Sequence, residues 1–208
     1  MTPEKADAVK AVVYPESDGK PMGETDCHRD EIGHYAIDVL DDHFRDDPDV
    51  YVSGNNFIYY TKGEPQDVVS PDCYVVRGVE KRRRRTFKVW EENAARPSFV
   101  LEVTSRSTRR EDMGDKMAKY RDDLGVREYF IFDPFAEWIP EKLRGYTLRK
   151  GVYEPLNPAK NGRIPSRELG LEVAVSGGHL RFFEPKARAP LPTRLELIEQ
   201  LEKKKRRR

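Results

Sequence analysis

Cysteines and long apolar runs are scarce in this chain. Only Cys27 and Cys73 occur among its 208 residues, which excludes a disulfide framework or a cysteine-based metal site. Free thiols are typical of a reducing compartment. No run approaches the roughly 18 apolar residues of a membrane helix, and residues 1–23 lack the apolar core of a signal peptide. We therefore expect a cytoplasmic protein with no membrane partner.

The chain also lacks a net charge of either sign. Its 38 basic and 37 acidic residues leave a formal charge of +1, so the overall charge does not indicate nucleic-acid binding, and electrostatic steering would need local patches. Charged residues are nevertheless abundant, at 36% of the chain, which is above the usual quarter. Apolar residues make up 37% and support one sizeable core.

Changes in composition divide the chain into four parts. Residues 1–23 contain three prolines and are predicted to form an N-terminal arm, while residues 24–184 form the predicted folded domain. Residues 185–193 contain three more prolines and are a predicted linker. Residues 194–208 are predicted to form a basic amphipathic helix, which is a candidate for self-association into a homodimer.

The first predicted helix begins near Thr25, a favoured N-cap residue. Apolar residues then recur at helical spacing and predict its buried face: Ile32, Tyr35, Ala36, Val39, Leu40 and Phe44. His28 lies near the start of this helix, at the edge of the buried face. A histidine at such a place is more often a satisfied helix-end residue than a functional one, so both interpretations stay open.

Two strands are predicted between this helix and the centre of the chain. The first runs from Val50 to Tyr60 with an interruption at 54–56, and the second runs from Val68 to Val76. Pro71 lies inside the second run. Because proline has no N–H to donate to a neighbouring strand, we expect a strand start or a bulge at this position.

The central stretch predicts a strand, a crossover helix and a parallel strand. In the first strand, Phe99–Val103, alternation places Glu102 on the face opposite Leu101. The second strand is Tyr129–Phe132. The C-terminal third then predicts two β-hairpins, with turns at 149–151 and 176–178.

The crossover helix contains one residue that its pattern does not explain. Thr108 and Glu111 predict a capping box at its start. An apolar stripe and a terminal glycine follow: Met113, Met117, Tyr120, Leu124 and Gly125. Lys116 falls inside this stripe, where an unpaired charge costs several kcal/mol, on the order of 5. Lys116 therefore needs an acid nearby, and Glu102 on the preceding strand can supply it.

Asp72, Glu102 and Lys116 are the candidates for chemistry. Paired carboxylates bind a hard divalent cation such as Mg²⁺, and the cation stabilises charge on a phosphoryl oxygen and lowers the pKa of a bound water. A lysine beside them can orient that water and stabilise developing negative charge. This set is typical of metal-assisted phosphodiester hydrolysis. Each residue alone also has a structural explanation. Asp72 could be a turn residue, Glu102 a strand residue with a partner, and Lys116 a lysine whose ammonium group reaches solvent.

Two basic clusters are candidates for contacts with substrate phosphates. Arg106, Arg109 and Arg110 surround the start of the crossover helix, a position that favours anions. The segment Lys81–Arg85 is a predicted basic loop, which contacts phosphate only if it projects into the same cleft.

These motifs resemble a known family. The matching residues are Pro71-Asp72, the stretch 99–108, Asp112, Lys116, Tyr120 and the stretch 125–134. They look like the Uma-two (Uma2) family of the PD-(D/E)XK restriction-endonuclease-like superfamily, and the resemblance runs from about Glu24 to Phe183. It implies an α/β fold with a restriction-endonuclease-like core, in which helices flank a mixed central β-sheet, followed by C-terminal β-hairpins.

The resemblance also implies a metal-dependent nuclease site. The first family acid maps onto Asp72 and the second onto Glu102, and together with the carbonyl of Val103 they are the expected ligands of Mg²⁺, with Mn²⁺ as an alternative. The superfamily lysine normally lies two residues after the second acid, where this chain has Thr104. The helix lysine of the family corresponds instead to Lys116. His28, with Glu24, borders the implied site and completes the expected catalytic set.

The expected function is that of a Mg²⁺-dependent endonuclease acting on DNA. A catalytically degenerate nucleic-acid-binding or interaction module of the same fold is the alternative, favoured by the near-neutral charge and the displaced lysine. A small-molecule metal hydrolase is a third candidate.

Overall fold

The structure is a computed structural model that describes residues 12–19 and 25–206. Most of the predicted N-terminal arm, residues 1–23, lies outside the described residues, and so does Glu24. The predicted division of the chain into arm, domain, linker and terminal helix stays a prediction.

The first helix is continuous but changes its hydrogen-bonding pattern twice. It consists of α1 (Asp26–His28), a π-helical segment (Arg29–Ala36) and α2 (Ile37–His43), and these three segments together are the N-terminal helix. Thr25 is its N-cap as predicted, because the Thr25 hydroxyl accepts the N–H of His28 at 3.2 Å. All six apolar residues predicted for the inner face are buried.

The remaining elements form three sheets and three further helices within the described residues. The strands are β1 (Val50–Ser53), β2 (Ile58–Tyr59), β3 (Val68–Val69), β4 (Cys73–Arg77), β5 (Phe87–Lys88), β6 (Pro97–Val103), β7 (Glu128–Phe132), β8 (Leu143–Arg149), β9 (Val152–Pro155), β10 (Ile164–Ser166), β11 (Leu171–Ser176) and β12 (His179–Phe183). The helices are α3 (Arg109–Asp112), α4 (Asp115–Asp122) and α5 (Arg194–Arg206), and a short 3₁₀ turn spans Val89–Glu91.

The main sheet has six strands in the order β1-β4-β6-β7-β8-β9. Its central strands β6 and β7 are parallel, and its other neighbouring strands are antiparallel. The predicted strand–crossover–strand unit and both predicted hairpins are therefore confirmed, with β8–β9 at the sheet edge and β11–β12 in a separate antiparallel sheet with β10. The predicted α/β class, with a mixed sheet and C-terminal hairpins, is confirmed.

Two strand predictions are wrong in the same way. The run Val50–Tyr60 is not one interrupted strand, because β1 joins the main sheet whereas β2 joins a small sheet of order β3-β2-β5. The run Val68–Val76 likewise divides into β3 and β4, which lie in different sheets. Pro71 lies in the break before β4, as its missing donor requires. An apolar pattern reports burial, but it does not report which sheet a strand joins.

The crossover helix also departs from prediction. It is broken between α3 and α4, and Thr108 makes no side-chain cap, so the capping box is wrong. The Thr108 hydroxyl instead accepts the N–H of Ser105 at 3.1 Å. Met113 is 42% exposed, whereas Asp112 beside it is 1% exposed. The break turns the aspartate inward, towards the sheet, in place of the methionine.

The main sheet separates two apolar cores. Phe99, Leu101 and Val103 pack with the N-terminal helix and the β10–β12 sheet. Val100 faces the other core, which contains Tyr120 of α4. This arrangement confirms the predicted alternation along β6 and places Glu102 under α4. No helix in the described residues combines the length and apolar character that a membrane span requires.

Candidate functional site

A cleft of about 770 Å³ lies beside the start of β4 and the end of β6. Three of the predicted catalytic residues line it, namely His28, Asp72 and Lys116. Glu102 is fully buried beneath them, at 0% exposure. The cleft region therefore brings together side chains from the N-terminal helix, the segment before β4, strand β6 and the crossover helix.

Asp72 is held in place by its neighbours on both sides. One carboxylate oxygen, Oδ2, accepts the N–H of Val103 at 2.7 Å. The other, Oδ1, lies 3.5 Å from Nε2 of His28. On the far side, the chain passes so close that a Cβ at Gly54 would lie 1.9 Å from the carbonyl oxygen of Asp72. Glycine at position 54 is therefore what lets the β1–β2 connection pass behind Asp72.

Glu102 is the buried centre of the site. Its Oε1 accepts the hydroxyl of Tyr120 at 2.6 Å and lies 3.3 Å from Nζ of Lys116. Its Oε2 accepts the N–H of Asp72 at 3.3 Å. Asp72 and Glu102 are thus in direct contact through the backbone of one and the side chain of the other, and Lys116 is the acid-paired lysine that the apolar stripe required.

The burial of this cluster shifts its protonation equilibria. Burial raises the pKa of Asp72 to about 6, against the opposing effect of Lys116. Burial and the charge of Asp72 raise the pKa of Glu102 well above its ordinary value. Burial alone would lower the pKa of Lys116, but the charges of Glu102, Asp112 and Asp72 outweigh it and raise that pKa. The ammonium group therefore keeps its proton, whereas the raised pKa values of Asp72 and Glu102 favour the protonated forms of these two carboxyl groups.

Asp112 is the residue that helical periodicity missed. Its Oδ1 accepts a hydrogen bond from Nζ of Lys116 at 3.1 Å, and its backbone carbonyl accepts the hydroxyl of Tyr129 at 2.7 Å. Within the described residues, its buried Oδ2 has no hydrogen-bond partner, and neither has the buried hydroxyl of Thr104. Asp112 and Lys116 are one helical turn apart in the sequence, and this spacing indicates that the two side chains can pair. The apolar stripe instead predicted that Met113 lies on the inner face of the helix.

The donor set fits a hard divalent cation. Nζ of Lys116 contacts the two buried carboxylates of Glu102 and Asp112, Asp72 beside them is partly buried, and the oxygen Oδ2 of Asp112 lacks a hydrogen-bond partner among the described residues. In the part of the chain that the structure describes, no three His, Cys, Asp or Glu side chains are grouped to hold one metal ion. Such a site suits Mg²⁺, which keeps several waters and takes only one or two protein carboxylates. Val103 lines the cleft, and its N–H donates to Asp72.

The basic residues that were predicted to contact substrate phosphates differ in whether they line the cleft. Arg106 is exposed and lines the cleft. Arg109 stacks on the ring of Trp138, with its Cζ 3.6 Å from the ring centroid, and Arg110 is exposed outside the set of cleft-lining residues. The Lys81–Arg85 loop does not line the cleft either. It was expected to contact substrate phosphate only if it projected into this cleft, and it does not.

Comparison with known protein families bears on the identity of this cleft. A family model described as "Uma2: Putative restriction endonuclease" matches residues 17–180, most of the 208-residue chain. The chain belongs to the Uma2 family. The resemblance carried by the motifs is therefore confirmed, and all the residues of the cleft discussed above lie inside the matched range.

Comparisons of this Uma2 chain with curated proteins and with solved structures add little to the family assignment. No curated protein matches it. Among solved structures, it is similar to one described as a "putative nuclease belonging to DUF820 from Anabaena variabilis ATCC 29413". The two are 14% identical, the match covers 74% of this chain and 81% of the other, and the TM-score is 0.49.

Proposed function

We propose that this Uma2 protein is a Mg²⁺-dependent endonuclease that hydrolyses DNA phosphodiester bonds. The observation that carries the proposal is the distance of 3.3 Å between Nζ of Lys116 and Oε1 of Glu102, in a cleft that Asp72 also lines. A lysine and two acids from three different elements converge there, although each residue alone has a structural explanation.

The two acids would hold the metal ion. Asp72 and Glu102, with the carbonyl of Val103, would be its ligands, and the bound ion would stabilise charge on the phosphoryl oxygen and lower the pKa of a water. His28 lies against the Asp72 carboxylate and would orient it. Tyr120 does the same for Glu102 through its hydroxyl.

Lys116 would act as a charged donor rather than as a base. Its acidic neighbours raise its pKa, so at neutral pH it has a proton to donate and no free electron pair to accept one. A fixed ammonium group at the edge of a buried cluster orients a water molecule and stabilises negative charge that develops on the phosphate. Arg106, exposed at the cleft wall, would contact a neighbouring phosphate of the strand.

The proposal is tested by cleavage of plasmid and single-stranded DNA with Mg²⁺ or Mn²⁺. We expect Asp72→Ala and Lys116→Ala to abolish cleavage. Asp122→Asn is the control, because Asp122 is an exposed aspartate of the same helix α4 whose ion pair, among the described residues, is with the neighbouring Arg121. Wild-type cleavage rates in both active-site variants would disprove this assignment.

A catalytically degenerate module is the competing function, and one observation favours it. All four carboxylate oxygens of Asp72 and Glu102 already lie against protein groups. Titration of Mg²⁺ in a calorimeter separates the two functions. The nuclease requires heat that disappears in Glu102→Gln, whereas a module without a metal site gives the same trace for both proteins.

A further inference from the structure

The loop that follows β7 presents an aromatic ring to solvent at the cleft. Phe135 is 65% exposed and lines the cleft together with Trp138. Among the described residues, it is the only exposed phenylalanine, tyrosine or tryptophan. Within the same residues, no other aromatic ring and no cation stacks on it. The ring therefore presents a flat apolar face to the cleft that Asp72 also lines, where a planar ligand could stack on it.

The loop is rigidly built. The carboxylate of Asp133 accepts the N–H groups of Phe135, Trp138 and Ile139 at 3.2, 2.7 and 2.9 Å. Nζ of Lys142 donates to the carbonyl of Pro134 at 2.8 Å. These bonds fix the backbone on both sides of Phe135, so the loop itself needs little ordering when a planar group stacks on the ring.

A planar cation from helix α3 packs against this loop. The guanidinium group of Arg109 stacks on Trp138 at 3.6 Å, and Trp138 itself packs against the core. Arg106, at the cleft wall, is exposed. The wall of the cleft thus combines the open aromatic face of Phe135 with the positive charge of Arg106, and the exposed acid Glu137 lines it as well. An aromatic face together with a cation is the combination that binds bases and phosphates of single strands.

We propose that Phe135 is a stacking platform for an unpaired nucleobase, so that the cleft takes single-stranded DNA, or a strand with an unstacked base, in preference to an intact duplex. In a duplex both faces of each base are covered by its neighbours, so stacking on Phe135 requires that one base first leave the helix. This inference rests on the proposed function, since it names the substrate class of the same cleft.

The test is a binding measurement in EDTA, which excludes cleavage. Fluorescence anisotropy compares a thymidylate strand of about 12 nucleotides, a size that single-strand sites accommodate, with an abasic strand of equal length and with a duplex. We expect the wild type to prefer the thymidylate strand. Phe135→Ala should weaken thymidylate binding about tenfold, the order of one lost base–aromatic stack, and should leave binding of the abasic strand unchanged.

Two variants sharpen this comparison. Phe135→Tyr keeps an aromatic face and should restore thymidylate binding. Val152→Ala removes another exposed apolar side chain, on β9, and should change none of the three affinities. An oligouridylate strand in parallel shows whether RNA shares the site, because the same stacking chemistry serves both nucleic acids.

The outcomes distinguish this inference from the proposed function. Base-dependent binding that requires Phe135, in a protein that cleaves nothing with Mg²⁺, supports the platform and refutes the nuclease. Suppose instead that Phe135→Ala cleaves every strand at the wild-type rate and that the wild type binds thymidylate and abasic strands equally. This result refutes the stacking platform but leaves the proposed nuclease activity standing. Absence of binding to any of the strands overturns the inference as well.

Discussion

Nζ of Lys116 lies 3.1 Å from Oδ1 of Asp112, although a helix break separates the two residues. The break at Gly114 sets the direction of Asp112. A Cβ at Gly114 would lie 2.6 Å from the carbonyl oxygen of Arg110, so the turn that joins α3 to α4 is tight enough to need glycine. The lysine is consequently held between Asp112 and Glu102 rather than left to move in the cleft.

We expect Asp112→Asn to slow DNA cleavage by about tenfold or more, as loss of a supporting partner does at metal sites. Asparagine keeps an acceptor for Lys116 but removes the charge that fixes the ammonium group. Steady-state cleavage measures the effect, which should appear mainly in kcat, because Asp112 is buried and is not among the expected phosphate contacts. Asp122→Asn should cleave like the wild type. Equal rates for both variants would contradict the role of Asp112.

Gly54→Ala should destabilise the fold by about 3 kcal/mol, at the upper end of overpacking costs. The new Cβ would collide with the backbone of Asp72 at 1.9 Å, and backbone cannot turn aside as a side chain can. Urea denaturation gives the change in the free energy of unfolding.

Gly33→Ala is the matched control for that substitution. Gly33 lies in the π-helical segment of the N-terminal helix, and a Cβ there would meet nothing within 4 Å. Alanine should therefore be neutral or stabilise by up to about 1 kcal/mol. A Gly54→Ala protein as stable as Gly33→Ala would show that the chain passes Asp72 less closely.

Arg84→Ala should cost about 3 kcal/mol, in the range for breaking a buried ion pair. The Arg84 side chain is only 2% exposed, donates to Glu92 at 2.7 and 2.8 Å, and stacks on Tyr51 at 4.4 Å. Its loss leaves the carboxylate of Glu92 poorly paired. Thermal and chemical denaturation measure the change.

The neighbouring Arg83→Ala should change stability by less than about 0.5 kcal/mol, as most surface substitutions do. Arg83 is exposed in the same basic loop. Equal losses of unfolding free energy in Arg84→Ala and Arg83→Ala would mean that the loop stabilises the fold through its total charge rather than through the buried pair of Arg84 and Glu92.

Glu128→Gln should change how stability depends on pH. Burial raises the pKa of Glu128, against hydrogen bonds from Ser166 and from the N–H of Arg167. The folded state therefore favours the protonated carboxyl. The stability that this preference provides is complete at pH values below the pKa of Glu128 in the unfolded state. It is lost as pH rises through the higher pKa of Glu128 in the folded state.

Glutamine has no charge to bury, so the stability of Glu128→Gln relative to the wild type should rise as pH increases from about 4, the ordinary pKa of a glutamate, through the higher folded-state pKa of Glu128. Melting temperatures across that range test the sign. Glu154→Gln removes a carboxylate that is half exposed on β9 and should give a flat difference. A flat difference for Glu128→Gln too would mean that burial does not control its titration.

Local patterns in the sequence were sufficient for much of the fold. The N-cap at Thr25, the alternation along β6 and both hairpin turns depend on residues within a few positions of each other, and sequence displays such relationships directly. The residue types of the site were visible for a related reason. A lysine on an apolar stripe, such as Lys116, violates local patterning, and such violations concentrate at functional sites.

By itself, then, the sequence determined the start of the N-terminal helix, the alternation along β6, both hairpins, the family motifs and the need of Lys116 for an acid. Only the tertiary structure decided which sheet β1, β2, β3 and β4 join, that Asp112 rather than Met113 turns inward, and that Phe135 faces the cleft. These outcomes depend on contacts between distant residues, such as the approach of Gly54 to Asp72. Periodicity records how each residue is buried along its own element, whereas steric contacts between elements decide where that element lies.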